Sequence, residues 1–350
     1  MRPIGQPKRI LCLLLALMLT GGLCGCKKAP APDDPTVQAM PLQTQPTEQT
    51  IPVPPATEAP TEEKDPVAEA IKQETSSLPE EAALPVTITA IPSGILTETN
   101  EEATIDYSNT QDGYVMVQYT SETEQRLKAQ VKGPSTTYTY NLTPGQWAAF
   151  PLSDQNGTYQ ITVYKNVVDS KYAAVLSLTT EVVLTDEFAP FLHSNQFVNY
   201  DAAPATQLAA AELCQGVEGL DKVSNVYHFV VSGMTYDTEL AQTVKTGYLP
   251  VLDEVLEKMS GICFDYAALM TGMLRSQGVP CKLVVGFAGD VYHAWINVWS
   301  ESTGWVEGVI YFDGLSWQLM DPTFASSADG DPETLSFIGD GTNYSAKYIY

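Results

Sequence analysis

The chain has 350 residues, 44% of them hydrophobic, which is enough for two ordinary domains, each with a core of its own. A formal net charge of −24 argues against nucleic acid as a partner and against attachment to anionic lipid through a basic patch. Any hold on a membrane must then be covalent.

The N-terminus offers such a hold. Arg2, Lys8 and Arg9 precede the apolar run Ile10 to Leu19, too short to cross a bilayer but with the charge-then-apolar layout of an export signal. The run leads to Leu23-Cys24-Gly25-Cys26, which resembles the bacterial lipobox, although a Cys at its second position departs from the usual small or aliphatic residue. The resemblance implies that residues 1–25 are a lipoprotein signal peptide and that Cys26 becomes the lipidated N-terminus. The mature protein is then expected on the extracytoplasmic face of a bacterial cell membrane; an ordinary cleaved signal is the alternative. Processing reduces six cysteines to four, and with Cys26 acylated three remain, Cys214, Cys263 and Cys281. An odd number in an exported protein leaves at least one free thiol. Their spacing resembles no zinc site and the chain has only three histidines, so no metal or other cofactor is expected.

Residues 26–84 are dominated by Pro, Thr, Glu, Gln and Ala, with ten prolines between Pro30 and Pro66. Such a segment cannot bury enough apolar surface to fold, and reads as a tether spanning roughly 40 Å as a coil, at most about 180 Å extended. A short helix around Val67 to Glu74 is compatible with it. Across residues 85–185 the period becomes two. Val115, Val117 and Tyr119 alternate with Met116 and Gln118, and Tyr159, Ile161 and Val163 with Gln160 and Thr162. Turn signals at Asp112-Gly113, Gly133-Pro134, Pro144-Gly145 and Asn156-Gly157 recur at the spacing of an antiparallel sandwich. We expect seven or eight strands of an immunoglobulin-like all-β sandwich, serving as a spacer or docking module.

Residues 186–350 form the last domain, beginning with a connector, Asp186 to Tyr200. Ala205 to Gln215, Leu220 to Val231 and Leu252 to Lys258 read as helices, the second with Val223, Val226, Tyr227 and Val230 on one face. Gly261-Ile262-Cys263 then opens a stretch to Gln277 whose only charged residues are Asp265 and Arg275, the pattern of a buried helix. Gly278 and Pro280 end it. A cysteine in the first turn of such a helix meets unpaired backbone N–H groups and the positive end of the dipole, which favour a thiolate; a buried structural cysteine is the competing reading. Lys282 to Phe287 and Val291 to Trp299 read as strands joined by a turn, with His293 in the row of Trp295 and Asn297. Tyr311-Phe312, the Asp313-Gly314 turn and Leu315 to Asp321 read as a hairpin. If its second strand lies beside the His293 strand, Asp321 can accept the Nδ1–H of His293.

Cys263, His293 thirty residues later and Asp321 twenty-eight beyond that are more specific together than apart. The blocks Gly-Ile-Cys-Phe-Asp-Tyr-Ala-Ala-Leu, Gly-Val-Pro-Cys-Lys-Leu-Val-Val-Gly-Phe, His-Ala-Trp and Trp-Gln-Leu-Met-Asp-Pro-Thr resemble the consecutive signatures of the transglutaminase-like superfamily. That resemblance implies an α+β papain-like fold with Cys263 as nucleophile, His293 as base and Asp321 as orienter. Cys281 stands where that family commonly has alanine. The implied chemistry is attack of the thiolate on an amide or ester carbonyl, protonation of the leaving amine by His293, and resolution of the thioester by a second nucleophile. The backbone N–H of Cys263 would give half of an oxyanion hole; for the other half Tyr227 and Tyr236 are the candidates, and Tyr236 is taken. The expected function is a peptidase or amidase acting on exported proteins or wall peptides. A cross-linking transglutaminase and a non-catalytic binding lipoprotein are the rivals. Asp329, Asp331 and Glu333 lack the side-chain pattern of a calcium loop and read as a solvated acidic loop.

Overall fold

The computed structural model describes residues 89–301, 304–306, 310–312, 317–319 and 343–350. The signal, Cys26, the tether, Asp321 and the Asp329 to Glu333 loop lie outside the described residues.

Eight strands come first: β1 (Thr97–Thr99), β2 (Ala103–Asp106), β3 (Tyr114–Tyr119), β4 (Leu127–Lys132), β5 (Thr137–Leu142), β6 (Trp147–Pro151), β7 (Gly157–Val168) and β8 (Lys171–Val182). They form two antiparallel four-stranded sheets, ordered β1-β2-β3-β6 and β5-β4-β7-β8. The alternation read from the sequence has a direct cause. Tyr159, Ile161 and Val163 are fully buried on one face of β7, as are Val115 and Val117 on β3, and the two faces meet, with the Tyr140 and Phe150 rings 4.5 Å apart. Gly113 closes the turn before β3 at φ 84°, and a Cβ there would fall 2.5 Å from the Pro190 nitrogen. Only glycine both adopts that backbone and admits the connector so close.

The connector docks on the sandwich through His193, whose Nε2 lies 3.0 Å from the Asp112 carbonyl and whose ring is 4.6 Å from that of Tyr114. Helices α1 (Pro204–Leu213), α2 (Leu220–Gly233), α3 (Thr238–Thr243) and α4 (Leu252–Lys258) follow, then α5 (Cys263–Ser276). The two-residue strands β9 (Thr235–Tyr236) and β10 (Ser260–Gly261) pair in parallel just ahead of α5. Every residue of α5 is buried, which is why it carries almost no charge; α1, α2 and α4 pack around it. Beyond Gly278, at φ 74°, come β11 (Cys281–Ala288), β12 (Val291–Ser300), β13 (Gly304–Val306), β14 (Ile310–Phe312), β15 (Trp317–Leu319) and β16 (Tyr344–Ile349). The main sheet is antiparallel, ordered β13-β12-β11-β16, and α5 lies against β11 and β12.

The hairpin of β14 and β15 exists, with Phe312 opposite Trp317, but among the described residues these strands pair only with each other. β13 pairs with the Val298–Ser300 end of β12, with Trp299 opposite Trp305. Trp299, Trp305 and Phe188 pack together at that end, ring centroids 4.2 to 6.0 Å apart.

Candidate active site

Cys263 is the first residue of α5 and is 9% exposed. The turn that presents it is tightly held. Asp265, two residues on, accepts the Ile262 N–H at 2.8 Å through one carboxylate oxygen and the Tyr248 hydroxyl at 2.7 Å through the other. An acid at this position reaching back to the N-cap N–H satisfies one of the helix's orphan donors. A Cβ on Gly261 would lie 2.5 Å from the Asp265 Cβ, so glycine is needed for the chain to pass. Burial pushes the Asp265 carboxyl above its ordinary value, and the bonds from Tyr248 and Ile262 counter that rise.

β9 and β10 bring in Tyr236. It stands opposite Gly261 in the parallel pair, two residues before the cysteine, and the Asp237 N–H donates to the Gly261 carbonyl at 2.9 Å. Tyr227 is instead buried within α2. Of the two tyrosines considered from sequence, Tyr236 is thus the one bonded into the strand pair that leads to Cys263.

His293 lies in β12, opposite Gly286, and is 4% exposed. Its ring stacks on Trp295 with centroids 6.4 Å apart and has Tyr344 at 6.5 Å. The alternate row of β12 holds Tyr292, Ala294, Ile296 and Val298. Cys281, opposite Val298, has its sulfur 3.6 Å from the Thr271 hydroxyl, so this second row faces α5. Burial raises the Tyr292 phenol above its ordinary value, with the Tyr348 phenol and the Cys263 thiol adding to the effect. Cys263 therefore sits within electrostatic reach of Tyr292, in the row that faces α5, whereas the neighbouring His293 belongs to the opposite row of β12. Among the described residues the thiol itself makes no hydrogen bond; in enzymes without substrate such contacts are often long and tighten on binding.

The three cysteines of the folded part are all free, and two of them are chemically quiet. Burial pushes the Cys214 thiol up to about 11 and the Cys281 thiol to about 12. Both stay protonated through the neutral range, Cys281 among fully buried neighbours as a small apolar side chain. Sequence reasoning missed Tyr248 and Tyr292. Asp265 carried a usable signal, an acid in the third position of a helix, whereas Tyr248 comes from a loop with no local mark of its role.

Residues 209–322 match the family model described as the transglutaminase-like superfamily. A protein-glutamine gamma-glutamyltransferase of Pseudomonas aeruginosa is 31% identical over 75 residues, covering 17% of this chain and 11% of that protein. The uncharacterized protein YebA of Bacillus subtilis is 25% identical over 187 residues, 45% of this chain and 24% of that one. The chain thus spans about a tenth and about a quarter of the length of these two relatives. The crystal structure of the periplasmic domain of TgpA from Pseudomonas aeruginosa aligns with 73% of this chain and 80% of its own, at 16% identity and a TM-score of 0.31.

Proposed function

We propose that this chain, which carries a transglutaminase-like domain over residues 209–322, is a membrane-anchored thiol enzyme that forms an acyl-enzyme on Cys263 and releases it to water. The observation that supports this best is the place of Cys263, at the start of a wholly buried helix. A helix start offers oriented N–H groups to a thiolate and to the oxyanion that follows. His293 acts as general base and then acid, Asp321 holds its tautomer, and Tyr236 is the second oxyanion donor. The substrate is an exported protein or a wall peptide. The sandwich, read as an immunoglobulin-like module, docks or spaces the enzyme. One relative bears the name of a glutamine-linked transferase, which favours amine transfer as the second reading. Incorporation of a fluorescent primary amine into acceptor protein, set against release of free acid, separates the two.

The nucleophile can be tested without a substrate. Iodoacetamide at pH 7 should label Cys263 well ahead of Cys214 and Cys281, whose thiols are protonated and at most 6% exposed. His293→Ala should slow that labelling. Equal labelling of the three cysteines, or a rate indifferent to His293→Ala, would overturn the catalytic pair and bring the non-catalytic binding reading forward.

The anchor is tested separately. Two buried acyl chains at about 0.8 kcal/mol per methylene hold a protein on a membrane for practical purposes permanently. Cys26→Ala should therefore move the protein from the detergent phase to the aqueous phase on phase partitioning. Retention in the detergent phase at the wild-type level would rule the lipid out.

A further inference from the structure

Lys128 occupies an unusual place for a lysine. It lies in β4, in the middle of its sheet between β5 and β7, on the row opposite Leu127, Ala129 and Val131, which point into the sandwich. An outward row should be solvated, yet Lys128 is 7% exposed. The helical half covers it. Lys128, Tyr140 and Asn141 form one wall of a cavity, and Tyr248, Phe264 and Tyr292 form the facing wall. The ammonium donates to the Asn141 side-chain oxygen and has no carboxylate within ion-pair reach among the described residues. Burial, with Arg126 nearby, lowers its pKa to about 8, so it keeps its charge at neutral pH at an energetic cost.

We propose that this cavity is a carboxylate subsite, in which Lys128 receives an acidic group of the substrate and so lets the sandwich select what reaches Cys263. The proposal rests on the acyl-enzyme reading above and adds the substrate class, a peptide bearing a carboxylate near the scissile bond. Position supports it, because Tyr292, which lines the cavity, lies within electrostatic reach of the Cys263 thiol. Size supports it too. The cavity measures about 30 Å³, and one water needs about 10–15 Å³ on the same measure, so there is room for roughly the two oxygens of a carboxylate. Charge explains why a local cation is needed. A chain of formal charge −24 repels acidic peptides at long range, and a buried ammonium with no carboxylate beside it among the described residues counters that locally. The carboxylate has two possible sources, an internal acidic side chain or the free end of a peptide, and both offer the same two oxygens.

Binding to the full chain carrying Cys263→Ala, which cannot turn substrate over, gives the test. One probe series is an acetylated alanine pentapeptide amide with a single Glu walked through every position, each paired with its Gln counterpart. The other is acetyl-pentaalanine as free acid and as amide. By titration calorimetry at least one acid should bind tenfold or more tightly than its neutral partner, and the series in which it falls identifies the source. Lys128→Gln should bring that ratio to within twofold, while Lys128→Arg retains part of it. Absence of any acid preference overturns the subsite whatever the variants do, and so does a preference that survives Lys128→Gln in a protein with a wild-type melting profile. The catalytic reading fails by a different result, unselective alkylation of Cys263 in the wild type, which leaves the binding ratio untouched.

Discussion

Asp321→Asn should lower turnover steeply, by up to about 10⁴-fold, while leaving the melting temperature nearly unchanged. Asparagine keeps the shape of the carboxylate and can still meet an imidazole N–H, but it can equally donate to the ring and so favour the unproductive tautomer. In the proposed mechanism it also withdraws the negative charge that would stabilise the imidazolium formed when His293 takes a proton. His293→Ala should cost about as much, and the double variant little more, because residues that act as one unit do not contribute additively. Single-turnover kinetics on a peptide accepted by the wild type would show the loss in acylation. Wild-type turnover by Asp321→Asn would remove Asp321 from the mechanism, and additive losses in the double variant would show that His293 and Asp321 act apart.

The elements that carry this chemistry were legible because their causes are local. Leu252–Lys258 is the predicted helix to the residue, α5 is the predicted buried helix ending at a glycine and a proline, and β12 begins at the predicted Val291. Periodicity, end signals and near-absence of charge are properties of short stretches of chain. What escaped depends on partners distant in sequence. β9 and β10 are two residues each, too short for any period, and exist because the segments before α3 and α5 run side by side. β13 carries one aromatic residue whose role is visible only once Trp299 and Phe188 are beside it. Lys128 was one lysine in an alternating strand, and nothing near it in sequence told that Phe264 and Tyr292 would close over it. The resemblance to a known family supplied roles for Cys263, His293 and Asp321, but the family pattern says nothing of the sandwich wall against which the site is built.

Arg275 was visible in sequence only as a charge inside an apolar helix, and its replacement should have the largest effect on stability. It is 2% exposed, and its guanidinium spans three parts of the chain. Nε donates to the Cys281 carbonyl at 2.9 Å, one terminal nitrogen to the His193 carbonyl at 2.8 Å and the other to the Tyr350 carbonyl at 2.7 Å. The first partner begins β11, the second belongs to the connector docked on the sandwich, and the third lies just past β16. Burial lowers the guanidinium to about 10, so it remains charged at neutral pH, and its hydrogen bonds to three backbone oxygens offset its desolvation. Arg275→Met keeps much of the volume and removes all three donors. Each buried carbonyl left without a donor costs about 1–3 kcal/mol. The Tyr350 carbonyl still accepts the Leu283 N–H at 3.0 Å and is hurt least. Relief of the guanidinium's own desolvation offsets part of the loss, so a net cost of about 3–5 kcal/mol is expected, the range for breaking a buried charged network by removing one member. At roughly 2–4 °C per kcal/mol for a domain of this size, the melting temperature should fall by about 6–20 °C. Arg275→Lys should recover only a part, since one ammonium lacks the planar fork that reaches three carbonyls at once. Hydrogen exchange should show where the damage lies, with protection lost first at the connector and at β16, the two segments that Arg275 ties to α5. A methionine variant that melts within 2 °C of the wild type would show that the three carbonyls find other donors and that this arginine does not join the parts of the fold.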